Sequence, residues 1–101
     1  MHNTLIQISA NTMGSGDTDL GAKLLKNYLT LLNSEHTPPR FITFYNSGVS
    51  VVCEGSETVD ICKQLEAKGT QLIACKTCLN HFDLTNKLGC GMMGSMMEIM
   101  E

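Results

Sequence analysis

Apolar and polar positions along this chain follow two patterns, brief runs and stripes at helical spacing. Leu5-Ile6-Gln7-Ile8-Ser9-Ala10 is short and β-branched, as a buried strand requires. It gives way to the turn-rich stretch Asn11-Thr12-Met13-Gly14-Ser15-Gly16-Asp17. Asp17 or Thr18 is positioned to cap a helix there, and Asp19 favours its first turn. Leu20, Leu24, Leu25, Tyr28, Leu31 and Leu32 recur at helical spacing and predict a helix over 18–33 with one apolar face. Pro38 and Pro39 bar its continuation. Phe41 to Tyr45 reads as a strand, Asn46-Ser47-Gly48 as a turn, and Val49 to Cys53 as a short extended piece. Ser56 stands where an N-cap belongs, with Val59, Cys62 and Leu65 lining the buried side of a second helix that Gly69 ends. Thr70 to Ala74 is a third strand running into Cys75-Lys76-Thr77-Cys78. Leu79 to Lys87 reads as a short helical or irregular segment, and Gly94 to Glu101 as a Met-rich helix.

Strand, helix, strand, helix, strand in this order predicts an α/β fold. Parallel strands need crossover helices, so the expected form is a three-layer α/β/α sandwich with a mostly parallel sheet of about four to five strands. No repeat, linker or change of composition divides the chain, and residues 1–101 read as a single domain. At 43% apolar residues, a chain of this length can build a core without disulfide staples.

Charge and cysteine usage narrow the partners. A net charge of −3, with seven basic residues scattered along the chain, does not suit phosphate binding, so no nucleic-acid partner is expected. No apolar run approaches a membrane span, and Met1-His2-Asn3-Thr4 does not begin a secretory signal. Five cysteines, an odd number, then read as free thiols in the cytoplasm.

Open sheets of this kind collect chemistry where strands deliver their carboxyl ends. Cys75 leaves such an end and Cys78 follows one helical turn later. A thiol at a helix start meets unpaired N–H groups that favour thiolate, and Lys76 adds positive charge. An accessible thiolate can accept sulfur as a persulfide, form a disulfide with its neighbour, or bind a metal. Cys75 and Cys78 are therefore the candidate reactive residues, with Lys76, Thr77, His81 and Cys90 as auxiliary candidates: His81 to tune the thiols and Cys90 to resolve them. The metal alternative draws on Cys75, Cys78, His81 and Cys90, which contain the ligand types of a four-coordinate zinc site, although Cys90 stands alone. Haem attachment does not match, because Leu79 rather than His follows Cys78. Gly14-Ser15-Gly16 is neither a dinucleotide fingerprint nor a P-loop and reads as a strand-to-helix turn. No cofactor is expected. Met92, Met93, Met96, Met97 and Met100 form an adaptable apolar stripe suited to subunit contact.

At Cys75-Lys76-Thr77-Cys78-Leu79 the chain resembles the DsrE/DsrF-like superfamily, and most of all the carboxy-terminal domain of YedF-type selenium metabolism proteins. Gly14-Ser15-Gly16-Asp17 with Leu20-Gly21, Asn46-Ser47-Gly48-Val49, Glu54-Gly55-Ser56 and Gly94-Ser95-Met96 carry the resemblance in collinear order. It implies a small α/β domain that assembles into homo- or hetero-oligomers and relays sulfur or selenium as a cysteine persulfide or perselenide. The sulfur carrier of the superfamily maps to Cys75, and Cys78 matches the second cysteine of its Cys-x-x-Cys subset. The implied donor or acceptor is a protein such as a TusA/SirA-like domain. The closest type carries such a domain ahead of this one and often a further strand after it, so the chain is expected to be a fragment or a shortened stand-alone relative. The competing expectations are an oligomeric binding protein with structural zinc or packed thiols, and a dithiol redox switch.

Overall fold

The computed structural model describes residues 5–14, 16–35 and 38–94. Among these residues four strands, β1 (Leu5–Ile8), β2 (Phe41–Phe44), β3 (Gln71–Cys75) and β4 (Met92–Gly94), form one sheet in the order β1-β2-β3-β4, every pair parallel. Helices α1 (Thr18–Asn33), α2 (Val59–Ala67) and α3 (Lys76–His81) make the crossovers. This is the expected α/β class, an α/β/α sandwich built on a parallel sheet. Each crossover steps to the next strand in one direction, and right-handed connections then carry α1 and α2 to the same face, where they touch. Among the described residues no helix is long and apolar enough to cross a membrane.

Register explains the core. Ile6, Ile42 and Leu72 lie side by side, as do Ile8, Phe44 and Ala74 one pleat further on. All but Ile6 are buried, and together they form one apolar sheet face. Leu25, Leu29 and Leu32 of α1 and Cys62 and Leu65 of α2 complete the same core cluster. On the other face the central Thr43 is buried with no partner for its hydroxyl oxygen.

The predicted face of α1 is only partly correct. Asp17 caps the helix as expected, accepting the Leu20 N–H at 3.0 Å. Leu20, Leu24 and Leu31, however, are 53%, 41% and 68% exposed. At 100° per residue these three fall in a stripe beside the Leu25-Leu29-Leu32 stripe, so the helix carries two apolar rows and the sheet receives one.

The expected extended piece at Val49 to Cys53 is instead a 3-10 helix, Asn46–Val52. Alternation would have buried every second residue, whereas Val49, Val51 and Val52 are all buried. Three residues per turn place Val49 under Val52, and the Ser50 hydroxyl donates to the Ser47 carbonyl at 2.8 Å. The turn sits where it does because Gly48 has no side chain: a Cβ there would lie 2.3 Å from the Ile8 carbonyl oxygen. Ser56 is not the N-cap of α2. Its hydroxyl and that of Thr58 both donate to the Val51 carbonyl, at 3.0 and 2.8 Å, and the helix starts at Val59. Met92 and Met93 belong to β4 rather than to a helix. Met96, Met97 and Met100 lie outside the described residues.

Gly48→Ala should lower the unfolding free energy by about 1–3 kcal/mol, because the new methyl group meets backbone that cannot move aside. A urea curve superimposable on that of the parent would overturn this origin of the turn.

Candidate functional site

The carboxyl ends of β1, β2 and β3 lie level, and the two sulfur atoms of interest lie at the third. Cys75 closes β3 opposite Gly94 and is the residue that begins α3, with extended backbone at φ −64° and ψ 121°. Its side chain is 1% exposed. Cys78, one turn along α3, is half-buried. The sequence makes Cys75 the open sulfur; the fold makes it the covered one. The reason is register: Cys75 is still a sheet residue, whereas Cys78 has risen on the helix.

The group that meets Cys78 is the backbone of Asn46. Its N–H donates to the Cys78 sulfur across 3.1 Å. Asn46 holds φ at 51°, the left-handed region that asparagine tolerates better than other residues bearing a side chain. The chain is fixed around it, since the Tyr45 N–H donates to the Ile8 carbonyl at 2.9 Å and the Gly48 N–H to the Tyr45 carbonyl at 2.8 Å. Sequence reading missed Asn46 as a site residue. The signal was the Asn-Ser-Gly triplet directly after a strand, which marks a turn without revealing where the amide points.

Burial pushes the Cys78 thiol above its ordinary pKa; the Asn46 amide pulls it back, while the hydrogen bond and charge of Cys75 push it further up. The net direction is upward. Cys78 is therefore a thiol at neutral pH, not the preformed thiolate expected from a helix start, because loss of solvent outweighs one amide.

The auxiliary candidates divide. Lys76 and Thr77 are exposed on the first turn of α3. His81 is exposed, its ring edge-on to Phe82 with centroids 5.1 Å apart. Cys90 precedes β4 at the opposite end of the sheet from Cys75, where its N–H donates to the Val52 carbonyl at 3.3 Å. Cys75, Cys78, His81 and Cys90 thus do not converge, and among the described residues no group of three or more His, Cys, Asp or Glu side chains could hold a metal ion. The four-ligand zinc alternative fails on that geometry.

A cleft of about 280 Å³ opens at the same end of the sheet, lined by Asn11, Ser47, Ser50, Phe82 and Leu84. The Ser47 hydroxyl oxygen accepts the Asn11 N–H at 3.0 Å, which joins the loop after β1 to the 3-10 helix. Phe82 follows Cys78 by one turn and is partly exposed at the cleft. A second hollow, of about 400 Å³, shares Asn11, Ser50 and Leu84 and continues to Glu54 and Glu57.

No protein-family model matches the chain, and no curated protein does. Among solved structures, the crystal structure of the YchN protein from E. coli is similar, with a TM-score of 0.64 at 17% identity. The match covers 99% of this chain and 90% of that one. At 17% identity this likeness shows the fold alone, a parallel α/β sheet with its helices, and does not reach the YedF type.

Cys78 should be the first thiol modified by iodoacetamide in the folded protein. Its pKa lies above the ordinary thiol value, so the alkylation rate should rise about tenfold per pH unit through pH 8.5 without levelling. A plateau near pH 7 would contradict the upward shift. Asn46→Val should slow that alkylation roughly tenfold by withdrawing an amide from the developing thiolate, whereas Asn46→Gly, free to adopt the same backbone, should stay within about twofold of the parent. Equal rates for both variants would remove the amide from the site.

Proposed function

We propose that the chain is a chalcogen carrier that accepts sulfur, or selenium, on the Cys75–Cys78 pair, with Cys78 as the sulfur that meets the donor. The observation that carries this reading is the Asn46 amide on a half-buried Cys78 that stands one helical turn from buried Cys75. The Cys78 thiolate attacks the terminal sulfur of a donor persulfide R–S–SH. Its S–S bond breaks, R–S⁻ leaves, and Cys78–S–SH remains. An acceptor thiolate reverses the same step. Both directions need a thiolate only transiently, and the Asn46 N–H stabilises that charge as it forms. Cys75, one turn away and out of solvent, helps keep the resting Cys78 protonated.

The donor is a protein presenting its own persulfide, such as the TusA/SirA-like domain that the sequence resemblance implies. Five free thiols suit a reducing, cytoplasmic setting. The exposed Leu20, Leu24 and Leu31 row on α1, with Met92 and Met93 at the far edge of the sheet, supports assembly into a homo-oligomer. The dithiol-switch reading draws on the same Cys75–Cys78 pair and differs in its product, an internal disulfide in place of a persulfide.

Incubation with a cysteine desulfurase and cysteine should leave an adduct of about 32 Da on Cys78. It should disappear in Cys78→Ser and persist in Cys75→Ser. Adducts spread evenly over all five cysteines, or a Cys75–Cys78 disulfide with no adduct, would overturn the carrier reading.

A further inference from the structure

Three cysteines take no part in the site above, and all are buried: Cys53, Cys62 and Cys90. Cys62 lies in the first half of α2, and Cys90 lies in the connection that leads into β4. Cys62 faces that connection: Gly91, after Cys90, bonds Glu66 one turn beyond Cys62, and Gly89, before Cys90, lies so close to Val59, one turn before Cys62, that a Cβ would fall 2.7 Å from it. The surrounding backbone presses the two segments together. The Gly89 and Cys90 N–H groups donate to the Val52 carbonyl at 2.8 and 3.3 Å, and the Gly91 N–H donates to the Glu66 carboxylate of α2 at 2.9 Å. Gly91, at φ +75°, lies so close to β3 that a Cβ would fall 2.8 Å from the Leu72 carbonyl oxygen. The Cys90 segment is thus clamped between Val52, α2 and β3.

We propose that Cys62 and Cys90 are a second thiol pair, one that hydrogen peroxide closes into a disulfide joining α2 to the β3–β4 connection. A hollow of about 530 Å³ lined by Glu66, Thr70, Leu72, Gly91 and Met92 lies beside the clamp, next in the chain to Cys90. Cys90, at 8% exposure, is the member nearer solvent, and Cys62 has none. The hydrogen bond from Cys62 draws the Cys90 thiol below its ordinary pKa against the opposing effect of burial, and holds the proton on Cys62. The Cys90 thiolate attacks one peroxide oxygen, the O–O bond breaks, and Cys90–SOH and hydroxide result. The Cys62 sulfur then attacks the Cys90 sulfur, the S–OH bond breaks, and water leaves with the Cys62 proton. Two electrons pass from the pair to the peroxide.

The test uses the reduced wild-type chain, freed of reductant, treated with hydrogen peroxide and quenched with N-ethylmaleimide in denaturant. Trypsin cuts after Lys63 and Lys87, and Glu-C protease cuts after Glu54 and Glu57, which separates Cys53 from Cys62. The expected product is a Cys62 peptide joined to a Cys90 peptide, about 2 Da lighter than the sum of the two and released by dithiothreitol. In Cys90→Ser that product should vanish and Cys62 should carry maleimide. Cys90 joined to Cys53 would overturn the proposal. So would recovery of both Cys62 and Cys90 as maleimide adducts at peroxide levels that oxidise Cys78. Neither result depends on whether Cys78 carries a persulfide.

Discussion

The molecule is organised around the approach of Gly48 to the end of β1. The Ile8 carbonyl accepts the Tyr45 N–H and leaves no room for a Cβ at position 48. The chain leaving β2 is therefore bent at once into a 3-10 helix instead of continuing as a strand. That bend sets Asn46 left-handed and aims its amide at Cys78, while the level ends of β1, β2 and β3 bring the loops into one cleft. The amide that meets the Cys78 sulfur beyond the third strand thus depends on a steric condition at the first.

Within this frame the two cysteine pairs are tuned in opposite ways. Cys78 loses solvent and gains one amide, and the loss prevails, so the pair at α3 rests protonated with its outer sulfur reachable. At Cys90 a neighbouring thiol donates, and that hydrogen bond prevails over burial. The protein separates reach from ionisation: the more accessible sulfur is the harder to ionise, and the more readily ionised one is nearly enclosed.

Much of the fold was legible because parallel α/β chains write their order plainly. The helix over 18–33, its Asp17 cap, the strands near 5, 41 and 71 and the parallel sheet all follow from apolar runs and stripes. The errors have particular causes. Three buried valines in four residues suit either a strand or a 3-10 turn, and only contact with Ile8 decides between them. Ser56 has the chemistry of a cap, yet its hydroxyl serves the Val51 carbonyl, a partner that sequence does not reveal. The Cys-x-x-Cys spacing put the two sulfurs at a strand end but not the order of exposure between them, since that depends on where the sheet ends and the helix lifts away. The approach of the Cys90 segment to α2 is a tertiary fact, made by the Val52 carbonyl and the Glu66 carboxylate.

Among the described residues β4 pairs with β3 over three positions, and much of the anchoring of its approach comes from α2 and the Val52 carbonyl. Amide protons of a strand anchored in this way exchange sooner than those in the pairings of β1, β2 and β3. Local opening would begin at that margin, and the Glu66 carboxylate is the latch that delays it.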